Sequence, residues 1–593
     1  MSHVNEGFVD DAGNTGRSKD TQPTSSCNGR TPSDCPLKKL ATKKSYAPKK
    51  LWAKKRQGSL DATLAYLRLH PDDESLKDKW IDAYVGRDVK PANSYFRWNI
   101  LMSFIIFITV FSPIWMSFIP GIKNVVSEIC TAICLLFHIF WIIGLFNAVR
   151  ISIRLLKRTS LANSSKIEDG PSDLKHLVGI CIYKEPLNLM ISTLDSVATQ
   201  KDARMKISVV VGMEEGTPER KEKQEALRAR FDECFERFFV VVHPKGLDGD
   251  IPGKCSNLNY AMRTAVANIR AQVAEGTISK SRWLVTTGDC DSVFGDEYFL
   301  ALEDEFSNTP VEKRELTVWQ SPLFYAINLH KSPFFVRVTG LVRSFFMMGL
   351  LIPLNINTMS IFSLTLELYE AGGYTHPGYQ MEDIIAVIRW SLAVGRQCTI
   401  KVLPVATLSG PTSGKNYYDE LYEWARQIRR WNIGAAEVFH YFCIKCSALS
   451  YRSILAFSLN FILYYAFLLC IIPLFGIVSA ISLPIFYSTG VLTQSSSITN
   501  YLSLANFLLF YIEMIVVFAV NKQCEKVFPS GAQDNTGFFR SLLHYVLSFP
   551  TVIAYSVVAV FAYFEVTIRG KSVCSHSASK KDNLMKKTKS TQA

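Results

Sequence analysis

Apolar positions in this chain come in two textures. Long unbroken runs lie at 98–119, 125–149, 453–493, 501–520 and 543–566. At 1.5 Å per residue, runs of this length cross the roughly 30 Å hydrocarbon layer of a bilayer. Between them, from about 166 to 415, the apolar residues shorten into strand-length runs separated by helical periodicity. "LVGICIY", "ISVVVGM", "FFVVVHP", "RWLVTTGD", "LTVWQSP" and "TIKVLPV" predict strands, and "ALRARFDECFERF" and "DIIAVIRWSLAVG" predict helices. Alternation of this kind predicts an α/β domain inserted between transmembrane helices.

Charge then orients the chain. Residues 1–95 open with a Ser-, Asn- and Lys-rich stretch, and Cys35 to Leu60 carries nine Lys or Arg with no acid, so this region is expected to be disordered, basic and cytosolic. No apolar core follows the first basic residues, so no secretory signal is expected. The hairpin at 98–150 is flanked by that basic region and by Arg150, Arg154, Lys157 and Arg158, against Lys123 alone in its connector. Positive charge stays inside, which puts the 166–415 domain in the cytosol. The 453–493 run is too long for one crossing, and Pro473 with Gly476 marks a turn that makes it two. With a basic tail at 567–593 also inside, parity then asks for about four crossings in the 453–566 bundle. The net charge of +13 sits largely at the two ends of the chain. Anionic lipid accounts for it, so a bilayer and not nucleic acid is the expected partner. The fourteen cysteines are scattered and form neither a disulfide framework nor a zinc pair of pairs.

Four short stretches carry candidate chemistry. In "TTGDCDSVF", Asp289 and Asp291 close a predicted strand, and alternation puts them on one face with Cys290 on the other. Two such carboxylates suit Mg²⁺ or Mn²⁺, which takes its remaining ligands from phosphates and water, although Asp-x-Asp also marks solvated loops. In "PGKCSNLNYAM", Lys254 opens a helix, where a cation meets a diphosphate. It is no Walker A loop, because Asp248 stands where a glycine is needed and Cys255 replaces Ser or Thr. In "GYQMEDIIAVIRW", Glu382 and Asp383 precede a helix, a place where acids also serve as caps. In "ARQIRRWNIG", Gln427, Arg430 and Trp431 share a helical face with Trp424 one turn earlier, an arrangement that also suits a helix lying in the headgroups (416–452).

Taken in order, these stretches resemble the membrane-embedded family 2 glycosyltransferases, the group of hyaluronan, cellulose and chitin synthases. Tyr183-Lys184-Glu185 matches the Tyr-x-Glu of the first strand, and Lys254 with Asn259 matches the helix start. Asp289-Cys290-Asp291 matches Asp-x-Asp, Glu382-Asp383 matches Thr-Glu-Asp, and Gln427 to Trp431 matches Gln-x-x-Arg-Trp. The resemblance implies an α/β GT-A domain and an inverting transfer from a nucleotide sugar, UDP-linked by preference. It also implies a growing glycan acceptor threaded through the membrane helices. Tyr183 and Glu185 would hold the base; Lys254, Asp289, Gln427 and Arg430 the rest of the donor; Asp291 the metal. Asp383, with Glu382 beside it, would be the general base, and Trp431 would stack on the acceptor. Two departures stand out: Met213-Glu214-Glu215-Gly216 replaces the usual second-strand acidic pattern, and Met381 replaces threonine. A processive synthase at the plasma membrane, rather than the Golgi or endoplasmic reticulum, is the leading expectation. A non-processive transferase acting on a lipid or short glycan is the alternative, and a scaffold or transporter with a decayed domain is a third. The sugar, the linkage and the oligomeric state are not written in these motifs.

Overall fold

The computed structural model describes residues 97–573 except 163–173, 248–249, 252, 276–281, 380, 447–448, 493–496 and 530–531. The basic N-terminal region and the tail beyond 573 lie outside the described residues.

Seven strands form the main sheet: β1 (Leu174–Ile182), β2 (Ile207–Glu214), β3 (Arg237–His243), β4 (Arg282–Asp289), β6 (Thr317–Gln320), β8 (Phe362–Thr365) and β9 (Thr399–Val402). A small second sheet joins β5 (Val293–Phe294), β10 (Thr407–Leu408) and β7 (Leu323–Phe324). The main order is β3-β2-β1-β4-β8-β6-β9, parallel from β3 to β4, with β8 antiparallel to both neighbours. All six strand stretches read from the sequence are strands. The helix expected from Ala226 to Phe238 stops at Phe231, because a turn intervenes and Arg237 to Phe239 are already paired with β2.

The chain runs outward from β1 to β3 and then returns to β4 on the other side of β1. That reversal makes a crevice at the strand ends, the place where open α/β sheets bind ligands. Tyr183 follows the end of β1, and Asp289 ends β4 opposite Cys181. The helix Lys254–Ala274 covers β1 and β2 closely enough that a Cβ on Gly179 would lie 2.7 Å from Leu258 and Met262, and one on Gly212 2.6 Å from Asn257. Asn257 donates to the carbonyls of Gly212 (3.0 Å) and Ile182 (3.3 Å), which pins the helix start, and with it Lys254, over the crevice.

Among the described residues, five helices are long and apolar enough to cross a membrane: 123–159, 334–351, 451–488, 499–527 and 548–569. The first expected crossing is broken into Arg97–Val110 and Ser112–Met116, with Pro113 in the second piece. Exposed Phe104, Leu136, Phe146, Leu459, Leu508 and Phe561 give these helices an outer surface suited to lipid. The turn expected at Pro473–Gly476 does not form. Residues Ile462–Ile471 are π-helical, and Pro473 sits in the first turn of the α-helical piece that follows, where a missing N–H is tolerated. Among the described residues, three long apolar helices therefore follow residue 450, where four were expected.

The 334–346 helix is packed inside the protein. A Cβ on Gly349, just beyond it, would lie 2.6 Å from the Gly144 carbonyl oxygen, so two backbones touch there. At the other end of the hairpin helix, Arg158 pairs with Asp304, and Arg154 with Glu305 at 3.6 Å. Arg337 is buried and reaches Asp534 at 2.7 Å. Burial by itself would raise Asp534, but the guanidinium outweighs it and holds the carboxyl below its ordinary value. Arg337→Ala strands that carboxylate, and a loss of about 3–5 kcal/mol in stability is expected. Thermal unfolding of the detergent-solubilised protein measures it. A depressed carboxyl stabilises above its unfolded pKa and loses that contribution as pH falls, so the gap between wild type and variant should narrow in acid.

Candidate active site

Four elements meet over the crevice. From the 254–274 helix, Lys254 Nζ lies 2.7 Å from Asp289 Oδ1 at the end of β4 and also contacts Glu382 Oε1 at the start of the Glu382–Val394 helix. Burial would lower the lysine, but the two carboxylates outweigh it and hold the ammonium well above its usual value. Asp383, 6% exposed, is pushed up to about 7, first by burial and then by the charge of Glu382. Its Oδ1 accepts from the Ile384 N–H at 3.0 Å, so the acid also serves its own helix end.

The fourth element is the Tyr417–Lys445 helix, whose three arginines point three ways. Arg426 pairs with Glu423 at 2.6 Å, and Arg429 reaches Glu565 on the 548–569 helix at 2.6 Å. Arg430 faces Asp289, Glu382 and Asp383, with burial lowering it despite their pull, and its Nε has no hydrogen-bond partner among the described residues. Trp424 faces away from the site; its Nε1 donates to Thr339 Oγ1 at 3.0 Å, and it packs on Phe335. Gln427 is half-buried on the same helix. Trp431 is stacked under Arg343, whose guanidinium lies 3.3 Å from the ring centre. One turn on, Gly434 leaves the hollow that Met381 fills: a Cβ there would overlap the Met381 side chain. The methionine that replaces threonine thus ties Glu382-Asp383 to the helix that carries Trp431.

Three expected positions look different from the inside. β4 ends at Asp289, and Cys290 and Asp291 lie in a turn, so strand alternation does not govern Asp291. Asp291 is 1% exposed and its Oδ2 accepts from Ser409 Oγ (2.9 Å) and Gly410 N (3.1 Å). Glu185 turns its carboxylate back to the Tyr183 N–H at 2.7 Å, ordering the loop after β1. Both acids of the second strand are engaged by backbone, Glu214 from Gly253 N at 3.3 Å and Glu215 from Lys245 N at 2.9 Å. No group of three His, Cys, Asp or Glu among the described residues is arranged to hold a metal by itself. Asp289 and Asp291 have the chemistry of a hard cation's ligands, but here Asp289 pairs with Lys254 and Asp291 is buried against Ser409 and Gly410.

Asp383 and Trp431 share a cavity of about 20 Å³ with Tyr464, Tyr465 and Tyr555 from the membrane helices. A second, of about 40 Å³, runs between those helices, lined by Trp141, Thr339 and Ser556 among others. Arg343, Tyr464, Leu469 and Tyr555 wall both. Sequence reasoning missed all four. Arg343 had a signal, a lone cation in "TGLVRSFFMMGLLI", of the sort that in an apolar helix marks function. The tyrosines had none.

No protein-family model matches the chain, and no curated protein matches it. Among solved structures it is similar to the mannosyltransferase PcManGT from Pyrobaculum calidifontis in complex with GDP-Man and Mn²⁺, at 11% identity and a TM-score of 0.36, covering 72% of this chain and 99% of that one. It is also similar to S. aureus TarS in complex with UDP-GlcNAc, at 12% identity and a TM-score of 0.26, covering 66% and 92%. At such scores neither likeness speaks for this chain's activity, which has to come from its own residues.

Proposed function

We propose that the chain is a membrane-embedded glycosyltransferase of the GT-A kind, which extends a glycan from a nucleotide sugar, UDP-linked by preference, and passes it out between its own helices. The observation that carries this reading is Asp383: a buried carboxyl poised at about 7, in a cavity walled by Trp431 and by tyrosines of the membrane helices. A general base works best with a pKa near the operating pH. Asp383 would take the proton of the acceptor hydroxyl as its oxygen bonds to the anomeric carbon from the face opposite the leaving nucleoside diphosphate. Lys254 and Arg430 would meet the charge that builds on that diphosphate. A divalent cation held by Asp289 and Asp291 would supply further neutralisation of the same oxygens. The basic end of the hairpin supports a cytosolic catalytic face.

The same Asp383 and Trp431 geometry serves a second reading. In it the protein adds one sugar to a lipid or short glycan. Product size separates the two. Membranes fed labelled UDP-glucose, UDP-N-acetylglucosamine, UDP-glucuronate or GDP-mannuronate should yield long chains in the first case and single additions in the second. Release of no nucleotide from any donor would sink both. Trp431→Ala is expected to leave donor binding intact and to shorten or abolish the product; full-length product at the normal rate would remove Trp431 from the acceptor site.

A further inference from the structure

The 334–346 helix carries two arginines, and they end differently. Arg337 meets a carboxylate, Asp534. Arg343 meets none. Its guanidinium is packed between the rings of Trp431, at 3.3 Å from the centre, and Tyr325, at 5.4 Å. The Met359 sulfur lies 3.7 Å from its Nη2, and its buried Nη1 has no hydrogen-bond partner among the described residues. A guanidinium brings five N–H donors in a flat fork, and leaving buried donors unmatched is costly unless something arrives to accept from them. The place where this happens is the wall between the Asp383 cavity and the cavity among the membrane helices.

We infer that Arg343 orients the acceptor: lying flat on Trp431, it donates from its edge to oxygens of the acceptor sugar entering the Asp383 cavity, and so aims the attacking hydroxyl at the Asp383 carboxylate. The inference rests on the transferase reading above and deepens it. The ligand class is a pyranose offering hydroxyl or carboxylate oxygens, since the guanidinium donates and does not accept. Because Arg343 covers one face of Trp431, the acceptor ring is left the opposite face or the edge of the indole. Aromatic contact and hydrogen-bond donation then come from a stacked pair held rigid by its own cation–π contact.

The test uses the full-length protein in membranes, a labelled nucleotide sugar that the wild type turns over, and short oligosaccharides cut from the wild-type product as acceptors. Arg343→Ala is expected to raise the acceptor KM by about tenfold or more, the weight of one hydrogen bond to a charged group. Donor KM should stay within about twofold, because Lys254, Asp289 and Arg430 are untouched, while the rise of transfer and of donor hydrolysis with pH should move upward, since the Arg343 charge helps hold Asp383 down. Arg343→Lys, which keeps the charge and loses the fork, should fall between, and added guanidinium ion should partly restore the Ala variant. An acceptor KM unchanged in Arg343→Ala overturns the inference. So does a donor KM that rises in step with the acceptor KM in both variants, which marks structural support. A wild type that turns over no nucleotide sugar overturns the transferase reading, and this inference with it.

Discussion

Asp383→Asn is expected to lower sugar transfer by roughly 10²–10⁴-fold while donor affinity barely moves, since the amide keeps the shape and loses the basicity. In the wild type, transfer should climb as pH rises through about 7, where burial and the neighbouring Glu382 have placed the Asp383 carboxyl. Stability should run the other way. A carboxyl whose folded pKa is raised holds its proton in the native state over the window from about 4 to 7, where the unfolded chain has already lost it. In that window the native state binds more protons, so stability declines as pH rises. The Asn variant escapes this, and its thermal midpoint should exceed that of wild type more at pH 8 than at pH 4. Initial rates, labelled-donor binding and thermal unfolding in one membrane preparation test all three statements. Normal transfer by Asp383→Asn would reduce Glu382-Asp383 to the end of a helix.

Lys254→Ala should be the most damaging single change at the crevice, because it removes the cation shared by Asp289 and Glu382. Breaking a largely buried pair from one side costs about 3–5 kcal/mol, and here two acids lose their partner. Donor binding should fall with it, the diphosphate then facing two uncompensated carboxylates. The variant also shifts the base. Lys254 pulls the Asp383 pKa down, so without it the rise of any residual transfer should move to a pH above 7. Lys254→Arg should recover stability more than rate. Undiminished donor binding in Lys254→Ala would show that the lysine holds the protein together and nothing else.

The sequence disclosed what local pattern controls. Uninterrupted apolar strands such as Ile207–Glu214 are buried along their whole length and read as strands for that reason. Lys254, Asp289, Glu382 and Asp383 were found as short polar exceptions at element ends, and the fold brings them together. β8 was hidden, since Phe362–Thr365 lies at the edge of an apolar stretch. The helix count went astray at Pro473, where a π-helical segment absorbs a proline that by local rules makes a turn. Asp291 was misplaced by assuming that a strand continues two residues past its last pairing. Tyr464 and Tyr555 could not be picked out at all, because a tyrosine in an apolar helix reads the same whether it faces lipid, a neighbour or a sugar.

The contact between Gly144 and Gly349 bears on how such a protein can change. Buried side chains from Met102 in the first apolar helix to Val573 at the far end belong to one continuous core. The stretch 166–415 looks like a cassette on paper, with soluble composition and a fold of its own. Two bare backbones in contact leave no seam at which to lift it out. A graft from a relative would need a matching glycine on both sides and a matching partner for every helix beneath. A water-soluble fragment therefore needs the underside of the domain redesigned before it is cut free, whereas a substitution inside the pocket leaves that contact intact.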